Sequence, residues 1–236
     1  MHRFLDSVDV IAATSPNYVA SSPVLQRHIQ KTQAIPIGLE ETLYPQPDVS
    51  AVTALHKRFG TRFFLFVGVL RYYKGLKYLL EASVQSPWPL VVVGAGHLEQ
   101  QLKQQALRLN LKNIHFIGQT DEQGKVDLFA ACYAVVFPSH LRSEAFGISL
   151  LEGAMFGKPM ICSEIGTGTS YVNEHLVTGL VVQPADSSAL NLAMQRLWNN
   201  PALAAKYGTA ARQRYLNLFT AENMGRAYTE AYKNLL

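Results

Sequence analysis

The chain is poor in cysteine, poor in charge and without any long apolar run, and each shortage narrows what it can be. Its two cysteines, Cys132 and Cys162, lie inside apolar stretches with no paired spacing. That excludes a disulfide scaffold and a cysteine-based zinc site, and it suits a reducing cytoplasm. No apolar run approaches the about 18 residues that a membrane-spanning helix needs; the longest are short, such as Pro89–Val93. The opening Met-His-Arg-Phe-Leu-Asp lacks the apolar core of a secretory signal. There is no Asp-x-Asp and no Gly-x-Ser-x-Gly, and His2, His28, His56, His97, His115, His140 and His175 are scattered without a metal-ligand pair. Neither a metal nor a nucleophilic triad is therefore expected. Charged residues make up 16%, with 21 basic and 17 acidic for a net +4. Such an excess permits attraction to phosphates or to an anionic membrane face, demands neither, and implies no nucleic-acid partner.

What is present is a core. Apolar residues reach 48% of 236, a length too great for one minimal domain and short for two full α/β domains. Short apolar runs alternate with helical periodicity. Strands are expected at Arg62–Gly68, Pro89–Gly94, Asn113–Gly118, Tyr133–Pro138, Lys158–Cys162 and Leu180–Val182. Helices are expected over Gly75–Ser83, His97–Leu109, Asp121–Cys132 and Gly147–Phe156. Buried, often β-branched strands alternating with helices predict a Rossmann-like parallel sheet with helices on both faces, an α/β fold. Before it, a strand Val8–Ala13, a helix Ser15–Gln30 and a strand Gln33–Ile37 are expected, followed by a proline-punctuated connector, Pro45–Asp48. After Ser187 the pattern is helical: Ser187–Trp198, Pro201–Leu218 and Ala221–Leu236.

In open α/β sheets ligands bind at the carboxyl ends of the strands, where helix N-termini favour anions. Three such ends carry unusual loops. Gly68 to Gly75 holds Arg71 and Lys74, which could clamp phosphate or simply be a solvated basic loop. Gly94 and Gly96 allow close approach to a ligand or an ordinary tight turn. A dinucleotide fingerprint would need a small residue where Glu99 stands, which disfavours a nicotinamide oxidoreductase. The third loop leads from Pro138 through Glu144 to a helix opening near Gly147, where the amides of Gly147, Ile148 and Ser149 would face a phosphate. Glu152 lies a turn further on, leaning back toward the same pocket. Two carboxylates there can accept hydrogen bonds from sugar and ribose hydroxyls, or can merely complement the helix dipole.

Glu144 and Glu152 resemble the E-x7-E motif of retaining GT-B glycosyltransferases of family 4, the group 1 transferases. Phe66-Val-Gly68 with Lys74-Gly75, Val91–Gly96, His115–Gly118, Val136–Ser139, Gly157-Lys-Pro159 and Thr178–Val182 follow that family's order and spacing, so the resemblance runs from about Ser7 to the end. It implies that Glu144 and Lys74 are the catalytic pair. Glu144 would hold donor-sugar hydroxyls, with the backbone of Phe146, Gly147 and Ile148 on the sugar and diphosphate. Lys74 would neutralise the diphosphate, Glu152 would hold the ribose, and Ile117 and Gly118 would flank the base. Gly68, Arg71, Gly94, Gly96 and Ser149 complete the expected donor site. The family usually carries an arginine where Val69 stands, and Arg71 is the candidate to replace it. Gly166-Thr-Gly168-Thr-Ser, with Tyr171 where many members have glutamate, resembles bacterial surface-polysaccharide and lipopolysaccharide transferases, mannosyltransferases especially.

The resemblance further implies a GDP-mannose or UDP-sugar donor, no cofactor or metal, and a glycan or lipid-linked glycan acceptor. It implies a cytoplasmic location that leaves room for peripheral contact with the inner membrane face. Residues 1–38 resemble a remnant of the N-terminal GT-B domain, residues 39–218 the nucleotide-sugar-binding domain, and residues 219–236 the crossover helix. The chain is thus expected to be the donor half of a hexosyltransferase, a fragment or a truncated reading frame. It would bind donor but not turn over without its missing N-terminal domain, and Tyr228, Tyr232 and Leu235 would be left exposed. The alternative is a non-catalytic nucleotide-binding module from a truncated gene product.

Overall fold

The protein is described by a computed structural model covering residues 2–84 and 86–235. Its centre is a six-stranded, all-parallel sheet built from β3 (Phe64–Val67), β4 (Leu90–Val93), β5 (Ile114–Gly118), β6 (Ala134–Phe137), β7 (Met160–Ser163) and β8 (Gly179–Val182). The spatial order is β5-β4-β3-β6-β7-β8, so the chain starts in the middle, builds to one edge, then returns and builds to the other. Every strand expected for this sheet is present.

Alternation along the strands feeds two cores. Leu65, Val91, Val93, Val135, Phe137, Met160 and Cys162 face one side, where they meet α4 (Val49–Phe59), α7 (Glu122–Ala131), α8 (Ile148–Met155) and the later turns of α11 (Pro201–Leu218). Phe64, Phe66, Leu90, Val92, Ala134, Val136 and Ile161 face the other, against α5 (Leu76–Ala82), α6 (Glu99–Arg108) and α10 (Ser187–Asn199). Apolar residues on both faces are what an internal parallel sheet requires. Both cysteines are buried and free, and burial pushes their thiols up to about 11 at Cys132 and about 12 at Cys162.

The N-terminal segment forms its own small unit. After α1 (His2–Ser7), β1 (Ile11–Ala13) pairs in parallel with β2 (Thr32–Ala34), and this pair does not join the main sheet. The helix expected over Ser15–Gln30 is instead broken into α2 (Pro16–Ser21) and α3 (Pro23–Gln26). Pro23 has no N–H to continue α2, and Ser22 turns extended and caps α3 with its hydroxyl. Two further differences have local causes. The stretch after the proline connector is the helix α4, capped by the Asp48 carboxylate on the amides of Ser50 and Ala51. A short helix, α9 (Thr169–Val172), follows the glycine–threonine loop.

The segment and the C-terminal helix α12 (Ala221–Lys233) leave the main sheet at one crossing. The amide of Leu39 donates to the Phe219 carbonyl and the amide of Ala221 to the Leu39 carbonyl, each at 2.9 Å. Gly38 is needed there because a Cβ would stand 2.2 Å from the Thr220 carbonyl oxygen. Tyr228, Tyr232 and Leu235 of this end are exposed and line a groove with Val8, Val10 and Ile35.

Gly75 makes the closest backbone contact that bears on the site. Its φ is +72°, and a Cβ would lie 1.9 Å from the Pro138 carbonyl oxygen. Gly75→Ala is expected to lower unfolding free energy by roughly 3 kcal/mol through strain and displaced backbone. Gly225→Ala, in α12 with open space around the new methyl, is expected to raise it by about 0.5–1 kcal/mol. Urea-denaturation midpoints of the two variants check both signs.

Candidate active site

Most helices begin with a side chain that caps them: Ser15, Ser22, Asp48, Asp121, Asp186, Asn200 and Thr220 each accept a hydrogen bond from a first-turn amide. The helices that open after β3, β4, β6 and β7 do not. α5 starts on Gly75 and α8 on Gly147, both left-handed, at φ +72° and +96°, with no side-chain cap. The first amides of a helix have no intrahelical acceptor, so the start of α8 presents Ile148 and Ser149 N–H groups toward the strand ends.

Lys74 and Glu144 meet beside that helix start. Gly75 packs on the Pro138 carbonyl and so brings the β3–α5 loop onto the end of β6. Lys74 Nζ then reaches Glu144 Oε2 at 2.5 Å, with both side chains only 12% and 11% exposed. The Ser139 hydroxyl donates to the same oxygen at 3.2 Å. The Lys74 ammonium also stands 4.7 Å from the centroid of the Phe137 ring, a face that favours a cation. Gly68 adjoins it: a Cβ there would stand 3.7 Å from Lys74 Nζ.

The second carboxylate sits within α8 itself. Glu152 is buried, accepts from Lys125 Nζ at 2.6 Å and from the Tyr44 hydroxyl at 3.3 Å on one oxygen. Burial pushes its carboxyl above the usual range, opposed by Lys125 and Tyr44. Burial works against the Lys125 charge too, but Glu152 and Glu122, the latter at 2.9 Å, hold it above its ordinary value. The Tyr44 hydroxyl is pushed well up by burial and by Glu152.

A cavity of about 290 Å³ runs along the ends of β3, β4 and β5, lined by Val67, Gly68, Val69, Val93, Gly94, Ala95, Gln119, Thr120 and Lys125. Gly94 and Gly96 owe their glycine identity to backbone crowding, since a Cβ would lie 2.0 Å from the Gly68 oxygen and 2.5 Å from the Leu70 oxygen respectively. Gly118, at φ +75°, ends β5 where its register against β4 shifts, and Ile117 packs its side chain on the core. Phe146 is buried against Phe219 and offers the site only its backbone. The Ser149 hydroxyl is occupied by the Val67 carbonyl at 2.9 Å.

Val69 lines the cavity, but Arg71 does not; Arg71 precedes the Tyr72–Lys74 turn without a side-chain cap and lines two other cavities, one against α5 and α6 and one with His97 and Ser143. Lys74 and Glu144, expected on phosphate and on sugar, stand side by side and pair with each other. Sequence reasoning missed Lys125 and Tyr44. Lys125 could have been found as the cation following Glu122 on a helix that opens at a strand end. Tyr44, 108 residues from Glu152, carries no local signal.

A parallel sheet in this order, with an uncapped glycine-led helix and acidic and basic side chains at its carboxyl edge, defines a Rossmann-like ligand-binding domain of the GT-B kind. Residues 53–214 match the family model for glycosyl transferases group 1, and the chain belongs to that family. It is 55% identical over 221 residues to the D-rhamnosyltransferase WbpZ of Pseudomonas aeruginosa, covering 94% of this chain and 58% of that protein. It is 50% identical over 234 residues to the O-antigen chain mannosyltransferase C of Escherichia coli, covering 99% and 63%. The chain thus spans about three-fifths of the length of these relatives. Among solved structures, the sucrose-phosphate synthase of Thermosynechococcus elongatus superposes with a TM-score of 0.86 at 28% identity, covering 99% of this chain and 60% of that one. No helix among the described residues is long and apolar enough to cross a membrane.

The Lys125–Glu152 pair yields a pH-dependent expectation. Lys125→Met leaves a buried carboxylate without its cation, at a cost on the order of 3 kcal/mol near neutral pH. Lys103→Met, which breaks an exposed pair with Glu99, costs under about 0.5 kcal/mol. Without Lys125 the Glu152 carboxyl rises further, so the folded state holds a proton that the unfolded chain has released. The deficit is then full above the raised pKa and vanishes as pH falls toward the ordinary carboxyl value of about 4.3. Unfolding of wild type and variant at pH 7.5 and 4.5 measures this. A deficit equal at both pH values would remove the ion pair as its cause.

Proposed function

We propose that this chain is the donor-binding portion of a retaining hexosyltransferase that moves a sugar from a nucleoside diphosphate to a glycan or lipid-linked glycan. The observation that carries the reading is the uncapped Gly147 start of α8 with Lys74 and Glu144 beside it. Anionic phosphate suits that amide-rich, electropositive corner, and Lys74 is a point charge able to leave Glu144 for a diphosphate. Glu144, so released, has a carboxylate for the hydroxyls of the sugar. Glu152, held by Lys125 and Tyr44, is assigned to the ribose, and the cavity by Gly118, Gln119 and Thr120 to the base. Gly68, Gly94 and Gly96 let the loop backbones pack closely at the mouth of this cavity.

In this reading the sugar–phosphate bond breaks as the acceptor oxygen joins the same face of the sugar, and the departing phosphate takes the hydroxyl proton. Lys74 and the α8 amides stabilise the charge that develops on that phosphate, the main electrostatic demand of the step. The activities of the two relatives favour a mannose- or rhamnose-type sugar and an O-antigen-type acceptor, with GDP-mannose the first donor to try and UDP-sugars the second. The reading assigns no metal or cofactor and a cytoplasmic location, with peripheral contact at the inner membrane face. It takes residues 1–38 as part of an N-terminal GT-B domain, 39–218 as the donor domain and 219–236 as the crossover helix.

Calorimetric titration with GDP, GDP-mannose, UDP and UDP-glucose tests the donor assignment. In Glu144→Gln, affinity for the sugar nucleotide is expected to fall about tenfold relative to the bare diphosphate, the loss of a charged hydrogen bond. Glu152→Gln is expected to weaken both ligands alike, because ribose is common to them. Equal losses in Glu144→Gln for sugar nucleotide and diphosphate would take the sugar away from this residue. Lys74→Gln is expected to cost nucleoside diphosphate more affinity than monophosphate, with the wild-type difference shrinking as salt is raised.

A further inference from the structure

On the far side of the Lys74 turn lie two cavities, of about 260 and 550 Å³, that share Arg71 and Tyr72. The first is enclosed between the turn, α5 and α6, with Lys77, Tyr78, Gln101, Gln105 and His140 on its walls. The second opens toward the strand ends, with Tyr73, His97 and Ser143. Neither is lined by an acidic residue among those described. Arg71 and Lys77 are exposed, and neither takes part in an ion pair among the described residues.

The cations are set among aromatic rings. Lys77 Nζ lies 5.4 Å from the Tyr78 ring centroid, and Tyr78 meets the His140 ring edge-to-face at 5.1 Å. Tyr72, 61% exposed, stands at right angles to Tyr73 with centroids 5.9 Å apart. His140 Nδ1 is buried without a hydrogen-bond partner, a polar atom that costs free energy unless something meets it. Burial first, then Lys77, hold the His140 imidazole below its ordinary value, against a hydrogen bond that the ring donates to the Tyr73 backbone. Arginine and lysine facing one space with no carboxylate to match them suit an anion. Rings beside them suit what the anion is attached to.

We propose that this pair of cavities is a second ligand site, taking a phosphate-bearing molecule whose phosphate meets Arg71 and Lys77 and whose attached ring or chain lies against Tyr72 and Tyr78. It backs directly onto the donor pocket: Tyr73 and Ser143 line it, and their neighbours Lys74 and Glu144 form the pair on the other side. The same phosphate chemistry is found in a soluble sugar phosphate and in a lipid-linked diphosphate. The site goes beyond the donor reading and stands on its own observations.

Amide chemical-shift mapping of the 236-residue protein tests it, with mannose 6-phosphate as one probe and a short prenyl diphosphate in neutral micelles as the other. Mannose and the prenol serve as controls, all at one ionic strength. Shifts are expected at Arg71, Tyr72, Lys77, His97 and His140 with a phosphorylated probe and not with its control. Lys77→Gln, an exposed change outside the cavity lined by Gly68 and Lys125, is expected to weaken that binding about tenfold and to leave nucleoside diphosphate affinity unchanged. Binding of either phosphate supports the site and names its source. Failure of both, shifts confined to Lys74, Glu144 and Gly147, or unaltered affinity in Lys77→Gln overturns it. A nucleoside diphosphate titration run in parallel fails or succeeds independently, and its failure would count against the donor reading alone.

Discussion

The site depends on one close approach between backbones: Gly75 lying against the Pro138 carbonyl. β3 and β6 are neighbours in the sheet although roughly seventy residues separate them, and the loops that leave them must share the space above one edge. A side chain at 75 would hold those loops apart. Its absence lets the Lys74 ammonium reach the Glu144 carboxylate, which is presented by the β6–α8 loop just before the uncapped helix. The carboxyl-edge chemistry is therefore a consequence of strand order, loop packing and one left-handed glycine together.

The two carboxylates are handled differently by their surroundings. Glu144 is paired with a lysine that carries no other carboxylate, on a loop open to the strand ends, so the pair can be exchanged for ligand groups of matching charge. Glu152 is more deeply buried and its lysine is shared with Glu122, with Tyr44 added from the far end of the connector. Desolvation raises the cost of disturbing that network, which makes it a fixed feature of the pocket wall. A movable pair beside a fixed one suits the donor site proposed above, which would bind a diphosphate and release it.

Across the Lys74 turn the balance changes sign. Arg71, Lys77, His97 and His140 line cavities without a facing acid among the described residues, and Arg71 belongs to this side rather than to the cavity that Val69 lines. The β3–α5 loop thus divides its cations between two faces of the sheet edge. Alternation along a short turn, Arg71 one way and Lys74 the other, is enough to do this.

The main strands were legible in the sequence because a parallel sheet covered on both faces leaves no polar period, so each strand reads as a continuous apolar run. That Glu144, Glu152, Lys74 and Gly147 stand at the carboxyl edge of the sheet was legible because they follow strand ends or open a helix, while the roles expected of them came from the E-x7-E resemblance. The helix over Ser15–Gln30 was misread because Pro23 can end one helix or begin the next, and only the extended Ser22 decides which. Strand order, the separate β1–β2 pair, the partnership of Lys74 with Glu144 and the roles of Lys125 and Tyr44 were decided by tertiary structure alone. These are contacts between residues far apart in the chain, and local periodicity carries no information about which loops will meet.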